Sequence, residues 1–399
     1  MPTGREIFLG VAAIPFIYYF ISLYSSWRYF RQPEVVPEPS FTPPISILKP
    51  IRGLDPDAWD NLVSFCRLDY PEYEILFCVD ADDRSVLSLL DRLMTAFPER
   101  SIRVLHGSGR VATNDKTAKL SRLVSEAKYE HVVISDSDVR VRPDYLREVI
   151  APMRDPKVGA TTCIYQPTEI STFTDRIQTI GMMSDFYAGC LVDWQLEGIK
   201  FALGPTIATT RTNLAEFGGY AVLENRPADD LLVGRFIAEK GHEVVLLRYA
   251  IETVCDYGSF RDLLHKRLRW MVVMRHMRAW GHFGLIATQG LPLALLAYAM
   301  HPSKATAAFF LGGYLLLRMA MGWTIGIHGL RQKALWKELP LIPVWDAVAF
   351  GIWVASFGRN TIRWRGADYF IREGGQLVTA TAAKVAPVPV APAYKPARN

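Results

Sequence analysis

The chain has 399 residues, of which 50% are hydrophobic and 21% are charged, and its mean hydropathy is +0.10. This composition is too apolar for a disordered chain and unusually apolar for a soluble enzyme, so it indicates contact with a membrane. The formal net charge is only +5, and basic residues are interspersed with acidic ones, which argues against nucleic-acid binding. The five cysteines lie far apart, and their spacing is not that of a zinc site.

The N-terminal region contains the first predicted membrane segment. Residues 7–23 read IFLGVAAIPFIYYFISL without a charge, and with their flanks they can cross about 30 Å of hydrocarbon as a helix. Arg28 and Arg31 follow directly, which places the end of this helix on the cytoplasmic side. We therefore expect a transmembrane anchor over 1–30 and a proline-rich linker over 31–44.

The middle of the chain alternates short apolar runs with helical patterns. Such alternation predicts right-handed βαβ units and a mainly parallel sheet, with ligands bound at the carboxyl ends of the strands. The expected fold class is α/β, with this domain over residues 45–260. The strands are predicted at 45–48, 73–79, 102–106 and 131–135, and the helices at 57–68, 84–97 and 115–128.

Acidic residues follow two of these strands directly. Asp80, with Asp82 and Asp83 crowded beside it, ends the second predicted strand, whereas Asp136 and Asp138 form a D-x-D triplet after the fourth. Two carboxylates at a strand end suit a hard divalent cation that bridges the phosphates of a nucleotide. The alternative for a lone acidic triplet is a turn that merely caps the next helix.

Three neighbouring motifs strengthen the nucleotide hypothesis. Lys116 in NDKTAKL could meet a phosphate or lie on a solvated helix face, and Asp230 in ADDLL could be a catalytic base or a helix cap. Arg269 and Trp270 in HKRLRW belong to a basic segment that we expect at the membrane surface, over 261–282. The same positive charge could stabilise a departing diphosphate.

Three further apolar stretches follow, at 283–300, 305–330 and 339–358. The first two predict a membrane hairpin. A full crossing by the third would leave several arginines outside, so a re-entrant or interfacial segment is an equal alternative. Arg318, inside the second stretch, is either a functional residue or the ion-pair partner of Asp346.

The C-terminal part of the chain accordingly divides into two predicted regions. The membrane region covers 283–372. Residues 373–399 end in VAPVPVAPAYKPARN, a proline- and alanine-rich composition that predicts disorder.

Seven segments, in the same order, make the chain resemble the ceramide glucosyltransferases, which are membrane-bound inverting glycosyltransferases of the GT-A type, and the related bacterial hopanoid glycosyltransferases. The family pattern is three separate aspartate sites followed by Gln/Arg-x-x-Arg-Trp. We call these sites stations, and in this chain the resemblance implies that they are Asp80, Asp136 and Asp230. The chain departs from the pattern at the last motif, where Lys266 occupies the first position. The segments are KPIRGLDP (49–56), NLVSFCRLDYPEYEILFCV (61–79), NDKTAKL (114–120), SDSDVRV (135–141), GPTIATTR with NLAEFGG (204–219), ADD (228–230) and RLRW (267–270).

The resemblance implies a GT-A domain, which is a nucleotide-sugar-binding, mainly parallel sheet with flanking helices, together with transmembrane helices. It also implies Mg²⁺ or Mn²⁺ as cofactor and assigns roles to the motif residues. These roles are nucleotide-sugar binding by Asp80, Lys116 and Asp136, metal binding by Asp136 and Asp138, and catalysis by Asp230 as general base with Arg269 and Trp270 closing on the diphosphate.

The implied reaction moves a sugar, usually glucose, from a UDP-sugar to the hydroxyl of a membrane lipid, usually ceramide, with inversion. The implied partners are the UDP-sugar donor, the lipid acceptor and the bilayer, with the catalytic domain of an integral membrane protein facing the cytoplasm. Three alternatives stay open: a hopanoid-lipid N-acetylglucosaminyltransferase, a processive polysaccharide synthase, for which about four membrane segments are few, and a non-catalytic, cation-binding membrane scaffold. The sugar, the lipid, the metal and the oligomeric state are not fixed by the sequence.

Overall fold

A computed structural model describes residues 4–33, 35–109, 112–254, 258–364, 367–372 and 375–379. The chain begins with two consecutive helices, α1 (Gly4–Ala12) and α2 (Ile14–Arg31). Pro15 lies in the first turn of α2, where a proline, which has no backbone N–H, is tolerated. Together the two helices cover the predicted N-terminal membrane segment.

The next region is built on an eight-stranded sheet. Its strands are β1 (Ile45–Pro50), β2 (Tyr73–Val79), β3 (Ser101–His106), β4 (His131–Ser135), β5 (Val139–Arg140), β6 (Val158–Pro167), β7 (Thr206–Thr210) and β8 (Glu243–Thr253). The spatial order is β3-β2-β1-β4-β7-β6-β8-β5. The pairs β3–β2, β2–β1 and β1–β4 are parallel, and β7 then pairs antiparallel with both β4 and β6. The predicted, mainly parallel sheet is therefore confirmed.

Helices cover both faces of this sheet. They are α3 (Ala58–Cys66), α4 (Arg84–Ala96), α5 (Asp115–Glu126), α6 (Tyr145–Ile150), α7 (Phe173–Gly181), α8 (Tyr187–Glu197), α9 (Arg211–Glu216) and α10 (Asp229–Glu239). Successive residues of β1 point to opposite faces. Leu48 accordingly packs in the cluster that contains Leu120 of α5, whereas Ile47 packs in the cluster that contains Phe65 of α3.

The remaining helices are apolar or lie beside apolar helices. They are α11 (Phe260–Met277), α12 (Ala279–Gly284), α13 (Gly290–Met300), α14 (Lys304–Thr306), α15 (Gly313–Gly322) and α16 (Ile342–Phe357). Within the described residues, three helical stretches could cross a membrane by length and composition: Gly4–Arg31, Lys304–Gly329 and Leu339–Phe357. A fourth would be the pair Ala279–Thr288 and Gly290–Met300, which is bent by 54°.

The last apolar stretch contacts another helix at each of its ends. At its start, Glu338 lies 3.7 Å from Arg176 of α7. At its end, Arg275 of α11 donates a hydrogen bond to the Phe357 carbonyl oxygen at 3.2 Å. The full crossing and the re-entrant or interfacial segment both remain predictions for 339–358.

A small antiparallel sheet follows α16. Its strands are β9 (Thr361–Trp364), β10 (Ala367–Arg372) and β11 (Gln376–Thr379), in the order β11-β10-β9. The predicted disordered tail at 373–399 therefore begins too early, because β11 pairs with β10 and buries Leu377. Residues 380–399 lie outside the described part of the chain.

Candidate active site

The first aspartate station is held by a buried lysine. Asp80 directly follows β2, and its Oδ1 lies 2.9 Å from Nζ of Lys119. The Lys119 side chain is only 1% exposed, and it also lies 3.0 Å from Oδ2 of Asp115 and donates to the Ile51 carbonyl oxygen at 2.9 Å. A buried ammonium needs such partners, so Lys119 fixes Asp80 against the loop that follows β1.

The acidic neighbours of Asp80 have different positions. Asp83 caps α4 by accepting a hydrogen bond from the Val86 N–H at 3.2 Å, and it accepts a second from the Gly53 N–H at 2.9 Å. Asp82 is exposed. Of the three aspartates, Asp80 is the one paired with the buried Lys119.

The D-x-D turn rests on a second buried lysine. Lys49, at 0% exposure, donates from Nζ to the Asp136 carbonyl oxygen at 2.8 Å and to Ser135 Oγ at 3.3 Å. Its Nζ also lies 3.6 Å from the centroid of the Phe65 ring. Burial lowers the pKa of Lys49 to about 7, although Asp136 and Asp138 oppose this shift. Lys49 therefore supports the turn from the sheet side.

A third lysine joins the second and third stations. Nζ of Lys116 lies 2.6 Å from Oδ1 of Asp136 and 3.8 Å from Oδ2 of Asp229. Burial alone would lower the pKa of Lys116, but the two carboxylates outweigh it and raise that pKa above its usual value. Lys116 and Lys119 are both on α5. This single helix therefore contacts Asp80, Asp136 and Asp229.

The third station, Asp230, begins α10 together with Asp229. The α-helix has no side-chain cap at Ala228, and Asp230 Oδ1 accepts a hydrogen bond from the Leu231 N–H at 2.8 Å. Gly204 packs so closely here that a Cβ at its position would lie 2.8 Å from Asp230 Oδ2. Burial, and then repulsion from Asp229, raises the pKa of Asp230 to about 6. Such a carboxylate can accept a proton near neutral pH.

The two carboxylates of the D-x-D turn, Asp136 and Asp138, are suitable ligands for a divalent cation. Burial, and then repulsion from Asp136, raises the pKa of Asp138 to about 6, and a bound cation would favour its charged form. In the part of the chain that the structure describes, there is no group of three or more His, Cys, Asp or Glu side chains suited to a metal. Magnesium commonly takes one or two carboxylates and completes its shell with phosphate and water oxygens, so two aspartates are sufficient.

Helix α11 brings the basic motif to the same site. Lys266 is close enough to lower the pKa of Asp138, and its Nζ lies 5.6 Å from the ring centroid of Trp270. Trp270 also contacts Phe186, at 5.9 Å between ring centroids. The guanidinium of Arg269 lies 5.5 Å from the ring centroid of Trp364. Lys266 thus faces the acidic turn although it replaces the usual Gln or Arg.

Arg267 differs from the other basic residues of this motif. It is only 7% exposed, and its Nε donates to Gln178 Oε1 at 3.0 Å. Its guanidinium lies 4.9 Å from the ring centroids of both Trp270 and Trp345. Arg267 therefore joins α11 to α7 and α16 and is not an exposed lipid anchor.

Arg318 forms the structural ion pair that the sequence left as one of two alternatives. Its Nε donates to Asp346 Oδ2 at 2.8 Å, and the Tyr314 hydroxyl donates to the same oxygen at 2.7 Å. The guanidinium also donates to the Ser184 carbonyl oxygen. This pair links α15 and α16 to the segment between α7 and α8.

Sequence reasoning missed several residues that hold the site: Lys49, Gly204 and Arg267. Lys49 and Gly204 lie within segments that carried the family resemblance, KPIRGLDP and GPTIATTR, and Arg267 lies inside RLRW. Their roles depend on contacts with Asp136, Asp230 and Gln178. A buried lysine or arginine has no local sequence signal, so only its presence in these motifs could have drawn attention to it.

A mainly parallel sheet with acidic residues at its strand ends, joined by lysines and covered by a basic helix, is the arrangement of a GT-A glycosyltransferase. The sequence model described as glycosyl transferase family 21 matches residues 7–377. The chain therefore belongs to glycosyl transferase family 21 and is a membrane-associated glycosyltransferase.

Relatives with known names agree with this family. Ceramide glucosyltransferase 3 of Caenorhabditis elegans is 22% identical over 414 residues, which cover 95% of this chain and 84% of that protein. Ceramide glucosyltransferase 1 of the same organism is 23% identical over 81% of this chain and 66% of its own length. Among solved structures, the mannosyltransferase PcManGT from Pyrobaculum calidifontis, in complex with GDP-Man and Mn²⁺, has a TM-score of 0.61 at 19% identity. It covers 88% of this chain and 98% of its own, and it shows the shared fold.

Proposed function

We propose that the protein transfers a sugar from a UDP-sugar to the primary hydroxyl of ceramide, with inversion at the anomeric carbon. The observation that carries this proposal is the meeting of Lys116, Asp136 and Asp229, which brings the second and third stations together. The proposed substrates follow from the names of the relatives, which are called ceramide glucosyltransferases. Glucose is accordingly the proposed donor sugar.

Asp230 serves as the general base. It accepts the proton of the acceptor hydroxyl while the hydroxyl oxygen forms its bond to the anomeric carbon of the sugar. The bond from that carbon to the diphosphate oxygen breaks at the same time, and its electron pair leaves with UDP. Because the acceptor attacks from the side opposite the leaving group in a single step, the configuration inverts. A pKa of about 6 leaves Asp230 ionised at neutral pH and able to accept this proton.

The other residues bind the donor and stabilise the departing charge. Asp80 lies on the uridine side, and Lys116 and Asp136 bind the nucleotide sugar. Asp136 and Asp138 would hold Mg²⁺ or Mn²⁺, which when bound neutralises charge on the diphosphate. Arg269 donates its planar pair of N–H groups to the leaving diphosphate, and Trp270 closes the site beside the acceptor.

The membrane arrangement suits a lipid acceptor. In the proposed orientation the catalytic domain faces the cytoplasm, which is where Arg28 and Arg31 at the end of α2 would also lie. Helix α11 then separates the donor site from the apolar helices. Ceramide reaches the site from the bilayer, whereas the UDP-sugar arrives from the aqueous side.

Lipid analysis by mass spectrometry tests the substrates. Cells that make ceramide are transformed with the wild-type protein or with Asp230→Asn, and their lipid extracts are compared. We expect a hexosylceramide that only the wild-type protein produces. A hexosaminyl-hopanoid in hopanoid-producing cells would replace both proposed substrates, a carbohydrate polymer would indicate a processive synthase, and the absence of any new product would contradict the proposal.

Binding measurements test the metal assignment separately. Asp136→Asn and Asp138→Asn should each remove the dependence of UDP affinity on Mg²⁺ or Mn²⁺, because each removes one carboxylate from the cation site. Asp82→Asn is the matched control, since Asp82 is acidic and exposed in the loop after β2. Calorimetric titration of UDP with and without the metal measures the effect, and a metal dependence that survives in both variants would reject these ligands.

A further inference from the structure

We propose that the small sheet β9–β11 forms one wall of the active site and that Trp364 is a positioning residue for Arg269. This inference rests on the proposed function, in which Arg269 binds the diphosphate. None of the sequence motifs points to this sheet, which follows the last apolar helix and lies about 100 residues after Arg269 in the chain.

The sheet is packed on the helix that carries Arg269. Three buried residues of the sheet and two of α11 form a single apolar cluster, and Met277 packs against its edge. Gly375, in the turn between β10 and β11, has φ = +77°, and a Cβ there would lie 3.2 Å from Cγ of Met277. The buried members of the cluster are Val272, Val273, Ile362, Ile371 and Leu377.

The same sheet is attached to the loop that leads to the general base. The Leu377 N–H donates a hydrogen bond to the Asn225 carbonyl oxygen at 2.8 Å. Ala228, which immediately precedes Asp229 and Asp230, packs against the apolar cluster under the sheet. The sheet therefore contacts both the loop that precedes the base and the helix that holds Arg269.

Arg275 anchors the beginning of the sheet. Its guanidinium donates to the carbonyl oxygens of Phe357 at 3.2 Å and Arg359 at 2.6 Å, and to Asn360 Oδ1 at 2.7 Å. These bonds fix the chain just before β9, so the position of Trp364 is set relative to α11.

Trp364 is the point at which the sheet meets the catalytic arginine. Its ring centroid lies 5.5 Å from the Arg269 guanidinium, within the distance at which a cation is attracted to an indole face. Tyr369 supports the ring from the neighbouring strand, at 6.3 Å between centroids. A guanidinium that binds a diphosphate with two parallel N–H groups must have a defined plane. The indole restricts that plane before the substrate binds, which reduces the entropy lost in the transition state.

A double-mutant cycle tests this role. Trp364→Leu should lower kcat with UDP-glucose and ceramide about fivefold, the size expected for one cation–π contact, with the melting temperature little changed. Trp364→Phe, which keeps a ring of weaker quadrupole, should lose less. In Arg269→Lys the indole has no guanidinium plane to orient, so adding Trp364→Leu should cause no further loss. Phe370→Leu is the control, because Phe370 is on β10 but is 38% exposed.

The cycle is repeated on the Kd of UDP in the presence of Mg²⁺, which requires no acceptor. Wild-type kcat and Kd in both Trp364→Leu and Trp364→Phe, or losses that multiply with Arg269→Lys, would overturn the positioning role. If the leucine variant does not fold, the phenylalanine variant alone decides, and unchanged values there overturn the role. If Arg269→Lys itself has no effect, the proposed binding of the diphosphate by Arg269 is rejected. That result differs from one in which Arg269→Lys lowers activity and Trp364→Leu does not, which rejects only the positioning role of Trp364.

Discussion

Three lysines, two of them buried and one half-buried, organise the carboxylates of the site at the scale of single residues. Lys119 holds Asp80, Lys116 holds Asp136, and Lys49 supports the backbone of the D-x-D turn. Placing several carboxylates in a partly buried site costs free energy unless cations are close by. The lysines supply part of that charge, whereas Asp138 and Asp230 keep raised pKa values of about 6.

Replacing the proposed base separates a catalytic role from a helix-capping role. Asp230→Asn should lower turnover by about 10²–10⁴-fold, the usual contribution of general acid–base catalysis. Its melting temperature at pH 7 should be equal to or higher than that of the wild type. Since burial raises the pKa of Asp230 to about 6, the stability contributed by its protonated form is lost as the pH rises through that value, and asparagine avoids this loss. Turnover and thermal unfolding are measured on one preparation, and normal turnover would reject Asp230 as the base.

The same pKa sets the pH dependence of the reaction. The base must be ionised, so kcat/KM should fall as the pH is lowered through about 6, the value to which burial raises the pKa of Asp230. The profile is recorded at saturating Mg²⁺, because the pKa of Asp138 is also raised to about 6. The Kd of UDP over the same range serves as the control, and a flat kcat/KM profile between pH 5 and about 7 would contradict the assignment.

At the scale of elements, the helices α5 and α11 carry the basic residues near the aspartates, and each packs against a different part of the molecule. Helix α5 packs on the sheet and carries Lys116 and Lys119, whereas α11 contacts α16 through Arg267 and Trp345. The acidic side chains consequently lie between a helix that packs on the sheet and one that adjoins the apolar helices. In the proposed function, we expect the lipid acceptor to approach Asp230 from the α11 side.

Two arginines of α11 provide a matched comparison. Arg269→Lys should lower turnover at least about tenfold, equivalent to roughly 1.4 kcal/mol of transition-state stabilisation, because lysine has no planar fork for the diphosphate. Arg261→Lys, on the exposed first turn of the same helix, should have almost no effect. Turnover of both variants is measured in detergent and in bilayers, and equal, small losses would show that these residues act only as a membrane anchor.

Arg267, the other arginine of the RLRW motif, is unsuitable as the control for Arg269→Lys because it is buried between two indoles. The sequence motif K-R-L-R-W does not separate it from Arg269, since both are arginines two residues apart. Only the packing of α11 against α7 and α16 gives the two residues different environments.

At the scale of the whole molecule, the Arg318–Asp346 pair joins the apolar helices to the catalytic domain. Arg318→Met should lower the free energy of unfolding by about 3–5 kcal/mol, because it leaves the Asp346 carboxylate buried and unpaired. The double variant Arg318→Met/Asp346→Leu should recover much of this loss. Thermal unfolding in detergent measures both, and a wild-type melting temperature in the single variant would contradict a structural role for the pair.

Much of the fold and part of the site follow from local sequence patterns. Apolar runs flanked by helical periodicity correctly predicted β1 to β4 and the helices α3 to α5. The position of Asp80 and Asp136 directly after strands then placed their side chains at the binding edge of a parallel sheet. These features depend on neighbours within a few residues, so a single sequence contains the information.

The tertiary structure decided the features that depend on distant partners. Arg267 is paired with Gln178, 89 residues away, and the sheet β9–β11 closes on α11 and on the loop before Asp230. The position of α16 likewise follows from its contacts with α7 and α11. Hydrophobic length indicates that a helix is apolar enough for a membrane, but whether it crosses the bilayer or lies against another domain is determined by side chains on both elements. Sequence patterns therefore determined which groups are candidates for the chemistry, and long-range packing determined which of these groups lie close together.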